Sequence, residues 1–388
     1  MKHTSMLSRK QSKVYNNMSY KVIDIFAGAG GLSYGFAHDK SFEIVAANEI
    51  LEPMAKTYTL NHPAVKMYNC DIKNLGLKNL TEDLGIKEGD VDVVIGGPPC
   101  QAYSTVGKRD ENDERGDLYL EYYRILSEVK PKMFVFENVK GLLTMKHGKL
   151  VKEIISLFES LGYHVDIKLM NAADYGTPQI RERVIIVGNN LGHEFTYPQP
   201  THYNPEDPDS YKEGLSPYVT LGEAIGDLPV IGTNQSGVNY TIEPENEYQR
   251  LMRNDAPSKI TDHDCPKITP KLVAFMDSLP DGGTPLDAPE ELRPTVGFNN
   301  FYCRLWWNRP STTITRNFDT ASATRSIHPK QPRPLTRREG ARIQGFPDNY
   351  MFYGTKKDKN LQIANAVPTF LATAIKDAIK DFLNKYSN

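Results

Sequence analysis

Three stretches of the 388-residue sequence carry side chains whose types and spacing could do chemistry. In "VIGGPPCQAYSTVGKRDENDERGD", residues 94–117, a strand-like apolar run ends in two prolines and Cys100, and a long polar tail follows. A lone cysteine is more often an inert core residue than a nucleophile. Its place here, at the carboxyl edge of a strand where open α/β sheets bind ligands, favours the nucleophile. Pro98 and Pro99 fix the backbone ahead of it, and residues 101–117 have the length and polarity of a lid. "FVFENV" brings Glu137 to the next strand end after apolar and aromatic residues, where partial desolvation raises a carboxyl pKa and suits it to donate a proton. In "YGTPQIRERVIIVG", Arg181 and Arg183 alternate along an extended segment and can aim at one point. An ordinary salt bridge from Glu137 to one of these arginines is the plainer reading, and the two can hold together.

A second group suits a cofactor. "DIFAGAGGLSYGF" sets Gly28, Gly30 and Gly31 between a strand and a helix, where small residues let a ligand approach the backbone and the helix N-terminus. Ser33 stands where G-x-G-x-x-G has its third glycine, which counts against a dinucleotide. Glu49 closes the second strand and could accept hydrogen bonds from ribose hydroxyls; Asp71 closes the third and could accept from an adenine amino group. Strand-end carboxylates also commonly cap helices. Three such positions at successive strand ends favour an adenosine-containing cofactor.

The elements that must position these groups follow from the pattern. Short β-branched runs, "KVIDIF", "FEIVAANE", "VKMYNC", "VDVVIGG", "KMFVFENV", "HVDIKLM" and "RVIIVG", read as strands, and "MAKTYTLNH", "LYLEYYRILSEV" and "LVKEIISLFESLG" between them read as helices. This alternation predicts a doubly wound, mostly parallel α/β sheet over residues 1–190. The proline-rich, acidic "TYPQPTHYNPEDPDSYKEGLSP" marks a linker or long loop, and the irregular sequence over about 191–354 a smaller, loop-rich second domain. "QIANAVPTFLATAIKDAIKDFLNKY" closes the chain as an amphipathic helix, with Ile375, Ile379 and Leu383 on its apolar face, that returns to the first domain over about 355–388.

The composition, 39% hydrophobic and 24% charged, is that of a soluble globular protein rather than a disordered chain. No apolar run approaches the roughly 18–20 residues that span a bilayer, so the expected location is the cytoplasm. Cys70, Cys100, Cys265 and Cys303 show no CxxC or Cys/His spacing, which predicts neither a disulfide framework nor a metal site. Net charge is −2, yet residues 301–345 hold nine Lys or Arg against only Asp319 and Glu339. That local excess is either a solvated face or a grip for phosphates.

In this order the motifs resemble those of the cytosine-carbon-5 DNA methyltransferases of the bacterial restriction-modification type: "DIFAGAGGLSYGF", "NEI", "CDI", "GGPPCQAYS", "RGDLYLEYYRIL", "ENVKGLL", "NAADYGTPQIRERV", "RPSTTITR" and "QIANAVP". The resemblance covers nearly the whole chain. It implies S-adenosylmethionine in the large domain, held by Phe26, Gly28, Gly30, Glu49 and Ile50 from the first two strand ends. Asp71, Ile72, Pro99 and Leu118 would follow from the next ones, with Asn365 and Ala366 from the last motif. It further implies Cys100 as nucleophile, with Glu137, Arg181 and Arg183 as the other catalytic groups, and a target-recognition region within about 191–310 of the DNA-binding domain. Double-stranded DNA is the implied partner of a monomer, with a restriction endonuclease as functional counterpart. Ala364 stands where the family usually has glycine and Thr369 where a second proline is frequent.

Rival readings lack their signatures. A transfer-RNA cytosine methyltransferase of similar plan typically carries Cys-Phe-Thr, but Cys265 precedes Pro and Cys303 precedes Arg. An amino-methyltransferase would place an aromatic residue where Cys100 stands. A nicotinamide dehydrogenase shares the glycine turn and Glu49, yet its chemistry does not require Pro-Cys-Gln, and a non-enzymatic DNA-binding relative would not need the cysteine and glutamate. Residues 1–17 have no assigned role, and Met18 could serve as the start.

Overall fold

The computed structural model describes residues 19–99, 118–295 and 300–387. Cys100 and the polar stretch after it therefore lie outside the described residues, as do residues 1–17.

The seven expected strands all form. In chain order the first half runs β1 Tyr20–Ile25, α1 Gly31–Ala37, β2 Phe42–Asn48, α2 Glu52–Asn61, β3 Lys66–Tyr68, α3 Leu77–Leu84 and β4 Val93–Gly96. It continues with α4 Leu118–Val129, β5 Met133–Val139, α5 Lys149–Ser160, β6 His164–Asn171 and β7 Glu182–Asn189. The strands join in the order β3-β2-β1-β4-β5-β7-β6. Only β7 in this sheet runs against its neighbours, pairing antiparallel with both β5 and β6. The order reverses between β1 and β4, which opens a crevice outside their carboxyl ends.

Helices cover both faces, so the central strands are buried on both sides and read as continuous apolar runs such as "VVIG". On one face Tyr122, Leu126, Ile154 and Phe158 of α4 and α5 pack against Ile23, Val94 and Phe136. On the other, Phe36 of α1 and Leu371, Ile375, Ile379 and Leu383 pack against Val22, Val93 and Ile95. The chain end thus returns to the sheet. It does so as two helices rather than one, α10 Lys356–Asn365 and α11 Thr369–Tyr386, because Pro368 lies between them in an extended conformation and serves as the N-cap of α11.

Between β7 and α10 the described elements are short: two-residue strands β8 His202–Tyr203 and β9 Ser216–Pro217, and helices α6 Leu221–Ile225, α7 Glu247–Met252, α8 Pro270–Asp277 and α9 Arg337–Ile343. Apolar side chains of this stretch, from the elements and the loops between them, among them Leu221, Leu305, Ile314 and Phe346, form a cluster that takes in Ala29 and Ala366 from the edge of the crevice.

The basic segment is where the sequence expectation fails. Arg304, Arg333, Arg337, Arg338 and Arg342 are all buried. Arg333 pairs bidentately with Glu339, at 2.9 and 2.6 Å. Arg342 bridges Asp227 and Asp348, Arg337 meets Asp264 and Asp319, and Arg338 donates to the carbonyls of Thr261, Pro347 and Tyr350. Arg304 is spent on the carbonyls of His328 and Pro329. These cations hold loops together and cannot reach a phosphate. Besides Asp319 and Glu339, the acids that neutralise them come from residues 227, 262, 264 and 348, outside the 301–345 window, so counting charge along that window overstated the free positive charge. Arg316 and Lys330 remain exposed, and Arg309 is half-exposed in an ion pair with Glu206.

Candidate active site

A cavity of about 420 Å³ occupies the crevice at the carboxyl ends of β1, β2, β4 and β5. Phe26 and Gly28 line it from the turn after β1, Glu49 and Ile50 from the end of β2, and Asp71 and Ile72 from the turn after β3. Pro99, Leu118, Asn365 and Ala366 complete the predicted set. Gly30 does not line it: a Cβ there would lie 2.8 Å from the Tyr350 hydroxyl, so its smallness admits Tyr350, and Gly31 faces the cavity instead.

The rim is shaped by backbone geometry. Phe26 is held at φ 58°, a left-handed conformation that costs a bulky residue roughly 1–3 kcal/mol and tends to persist where function over-determines it. Gly28, also left-handed, donates its N–H to Glu49 Oε2 at 3.0 Å, and Leu51 donates to Oε1 at 2.8 Å. Burial pushes the Glu49 carboxyl up, and those backbone donors pull against it. One oxygen of Asp71 accepts from the Lys73 N–H at 3.0 Å, so this side chain caps a short turn as well as facing the cavity.

Glu137 lies on the cavity wall, against the end of β4. A Cβ on Gly97 would sit 2.6 Å from Glu137 Oε2, so the second glycine of "GGPPC" is small because the carboxyl needs its space. Arg183 Nε donates to Glu137 Oε1 at 2.8 Å, and both side chains are nearly buried. Burial raises the Glu137 pKa; Arg183, and more remotely Arg181, oppose the rise.

The two arginines part company. Arg181 turns its guanidinium to the Ala364 carbonyl, at 2.6 Å, and to Gln179 Oε1 at 3.4 Å. It precedes the first residue of β7, so the strand alternation that would aim both side chains one way does not extend to it.

Sequence reasoning overlooked two side chains here. Asn138 donates to the Pro98 carbonyl at 3.1 Å and so pins the turn that leads to Cys100. Asp24, buried and lining the cavity, accepts from Ser33 Oγ at 2.6 Å, and burial lifts its pKa to about 7. A single acid inside the apolar strand "VIDIF" was the available signal for the second.

Among the described residues, the titratable lining comprises Asp24, Glu49, Asp71 and Glu137 against Lys73. Such an acidic wall suits a ligand with a ribose diol and a positive charge, and repels a pyrophosphate.

The family model of C-5 cytosine-specific DNA methylases matches residues 20–381. The chain belongs to this family. The methylase is 34% identical to the Type II methyltransferase M.AgeI of Thalassovita gelatinovora, over 93% of this chain and 99% of that protein. It is 36% identical to the Type II methyltransferase M.DdeI of Desulfomicrobium norvegicum, over 92% and 88% respectively. Among solved structures it resembles one described as a DNA modification methyltransferase encoded within an E. coli prophage, with TM-score 0.73, 26% identity, and 94% and 100% coverage. The S. pombe Dnmt2 methyltransferase, 18% identical with TM-score 0.59, shares the fold.

Proposed function

We propose that this methylase acts on carbon 5 of a cytosine turned out of a short duplex site, with Cys100 as nucleophile and S-adenosylmethionine in the acidic cavity. The observation that carries this reading is Glu137, buried against Gly97 and paired with Arg183 on the wall of that cavity.

Glu49 would accept from the ribose hydroxyls and Asp71 from the adenine amino group, while Phe26, Ile50, Ile72 and Leu118 supply apolar surface and the backbone of Gly28, Asn365 and Ala366 closes the site. When bound, S-adenosylmethionine supplies an electrophilic methyl group. Cytosine carbon 5 is a poor nucleophile, so the Cys100 thiolate first adds to carbon 6. Glu137 gives its proton to ring nitrogen 3 and offsets the negative charge that addition drives into the ring. Arg183 fixes the carboxyl, and Arg181 fixes the end of α10 that carries Asn365. Once carbon 5 carries the methyl group, water takes the proton from carbon 5, the electrons of that bond expel Cys100 from carbon 6 as thiolate, and ring nitrogen 3 returns its proton to Glu137, which restores the aromatic ring. Because these atoms are stacked inside a duplex, the base must leave the helix first.

Residues 191–310 are assigned to choosing the site, within a DNA-binding part over about 191–354, and 1–190 with about 355–388 to catalysis. The relatives' names as Type II methyltransferases support a role in shielding cytoplasmic host DNA from a partner endonuclease. The protein is taken to work as a monomer.

DNA carrying 5-fluorocytosine at the target tests the covalent step, because fluorine cannot leave as the proton does. Bisulfite sequencing of plasmid from expressing cells first identifies the site. A denaturation-stable adduct is expected with the unmutated enzyme and none with Cys100→Ser; an equally stable adduct with Cys100→Ser removes Cys100 from its role.

A further inference from the structure

The far wall of the cavity, Asn365 to Val367, is the end of α10 and the two residues after it, and the last carbonyls of that helix have no partners within it. Side chains from two distant segments take them. Gln344, at the C-cap of α9, donates Nε2 to the Ile363 carbonyl at 2.7 Å and to the Ala366 carbonyl at 3.4 Å. Arg181 takes the Ala364 carbonyl between them. Gln344 Oε1 in turn accepts from Gln179 Nε2 at 2.9 Å, and Gln179 Oε1 accepts from the Ile314 N–H at 3.0 Å. The backbone carbonyl of Gln344 also accepts from Thr369 N–H at 3.0 Å, at the start of α11. Gln179 and Gln344 are fully buried.

An amide has both a donor and an acceptor, so two facing glutamines can satisfy each other and still hold backbone on either side. Gln179 belongs to the turn that continues through Arg181 into Arg183, the partner of Glu137. The chain of bonds therefore runs from the segment carrying the base-site arginine to the wall of the cofactor cavity.

We propose that Gln344, through Gln179, is a positioning residue of the methylase: it holds the Asn365–Val367 wall pre-formed, at a fixed distance from Glu137 and Arg183. The inference rests on the reading that the cavity takes S-adenosylmethionine. Preorganisation of this kind lowers the cost of binding and aligns the reacting groups, so its loss appears in cofactor affinity and kcat rather than in DNA affinity.

The test measures the Kd of S-adenosylhomocysteine by calorimetry, and kcat and the KM for duplex DNA, for the wild type, Gln344→Met, Gln344→Glu and Gln179→Met. Gln344→Met nearly keeps the volume and loses every donor, and Gln344→Glu keeps the shape with at most one O–H donor in place of the two amide N–H groups. They are expected to weaken cofactor binding about fivefold or more and lower kcat, with the DNA KM within about twofold of wild type. Folded variants whose cofactor Kd stays within about twofold of wild type overturn the proposal. So does an equal loss in cofactor and DNA affinity, the mark of general destabilisation. If the wild type binds no cofactor, the cavity assignment fails instead. Should the Gln344 variants not fold, hydrogen exchange on the unmutated enzyme decides. The amides of Ala366 and Thr369, which donate to the Gln362 and Gln344 carbonyls, must be protected without ligand, and protection that arises only on adding S-adenosylhomocysteine overturns a pre-formed wall.

Discussion

Glu137→Gln separates a proton-donating carboxyl from a structural ion pair. The carboxyl is 12% exposed, lies 2.8 Å from Arg183 Nε, and abuts Gly97. Removing one charge of a buried pair costs about 3–5 kcal/mol. The amide oxygen can still accept from Arg183, and a bond to a charged donor returns about 1.5–3 kcal/mol, so the fold should lose only about 2 kcal/mol. The amide fills the same space but cannot transfer a proton to ring nitrogen 3. General acid catalysis contributes about 10²–10⁴-fold, so kcat should fall by that factor while the DNA KM stays within about threefold. The assay is transfer of a labelled methyl group to a duplex containing the mapped site, at saturating cofactor. A kcat within about tenfold of wild type, some 1.4 kcal/mol of barrier, refutes the assignment. The pH profile gives a second check. The neutral acid is the donating form, so kcat should fall as pH rises through the raised pKa of Glu137. Arg183→Met removes the cation that opposes that rise, so the pKa climbs further and the fall moves to higher pH. Movement to lower pH contradicts the electrostatic account.

Arg342→Met strands Asp227 and Asp348 in the interior and should destabilise the protein by about 3–5 kcal/mol in urea unfolding; Arg316→Ala, at an exposed position, should cost little stability and, if it meets a phosphate, reduce the salt slope of DNA binding by about one. A folded Arg342 variant with normal stability and a flatter salt slope would return the buried arginines to DNA binding. Asp24 releases its proton near pH 3.8 when unfolded and near pH 7 when folded, so wild-type stability declines between those values and the deficit is complete above pH 7. Asp24→Asn, fixed neutral and able to accept from Ser33, should therefore gain up to about 4 kcal/mol over wild type at pH 8 and about half that at pH 5.5 without cofactor; a gain independent of pH contradicts the assignment. Glu49→Ala removes the acceptor for Gly28 and Leu51 and should weaken cofactor binding tenfold or more by calorimetry, and unchanged affinity in a folded variant would clear Glu49 of that role.

The sequence alone determined the sheet. Seven strand-like runs became seven strands; the central parallel ones, β1, β4 and β5, read as continuous apolar runs because burial on both faces leaves them no polar alternative, and "LYLEYYRILSEV" became α4 over its full length. Strand ends were equally legible: Phe26, Glu49, Asp71, Pro99 and Glu137 fall around one cavity because in this topology the carboxyl ends of adjacent strands share an edge. Tertiary structure decided whatever depends on a partner far away in the chain. The cationic segment gave no sign that acids at positions 227, 262, 264 and 348 would close over it, and a buried charge is fixed by such partners rather than by its neighbours in sequence. Arg181 and Arg183 looked equivalent by spacing, but only the second lies in β7, so one meets Glu137 and the other the end of α10. Gln179 and Gln344 stand 165 residues apart, and a neutral amide has no periodicity or charge to announce its partner. What joins them is the shared need of two buried amides to be satisfied, and that need exists only once the chain has folded.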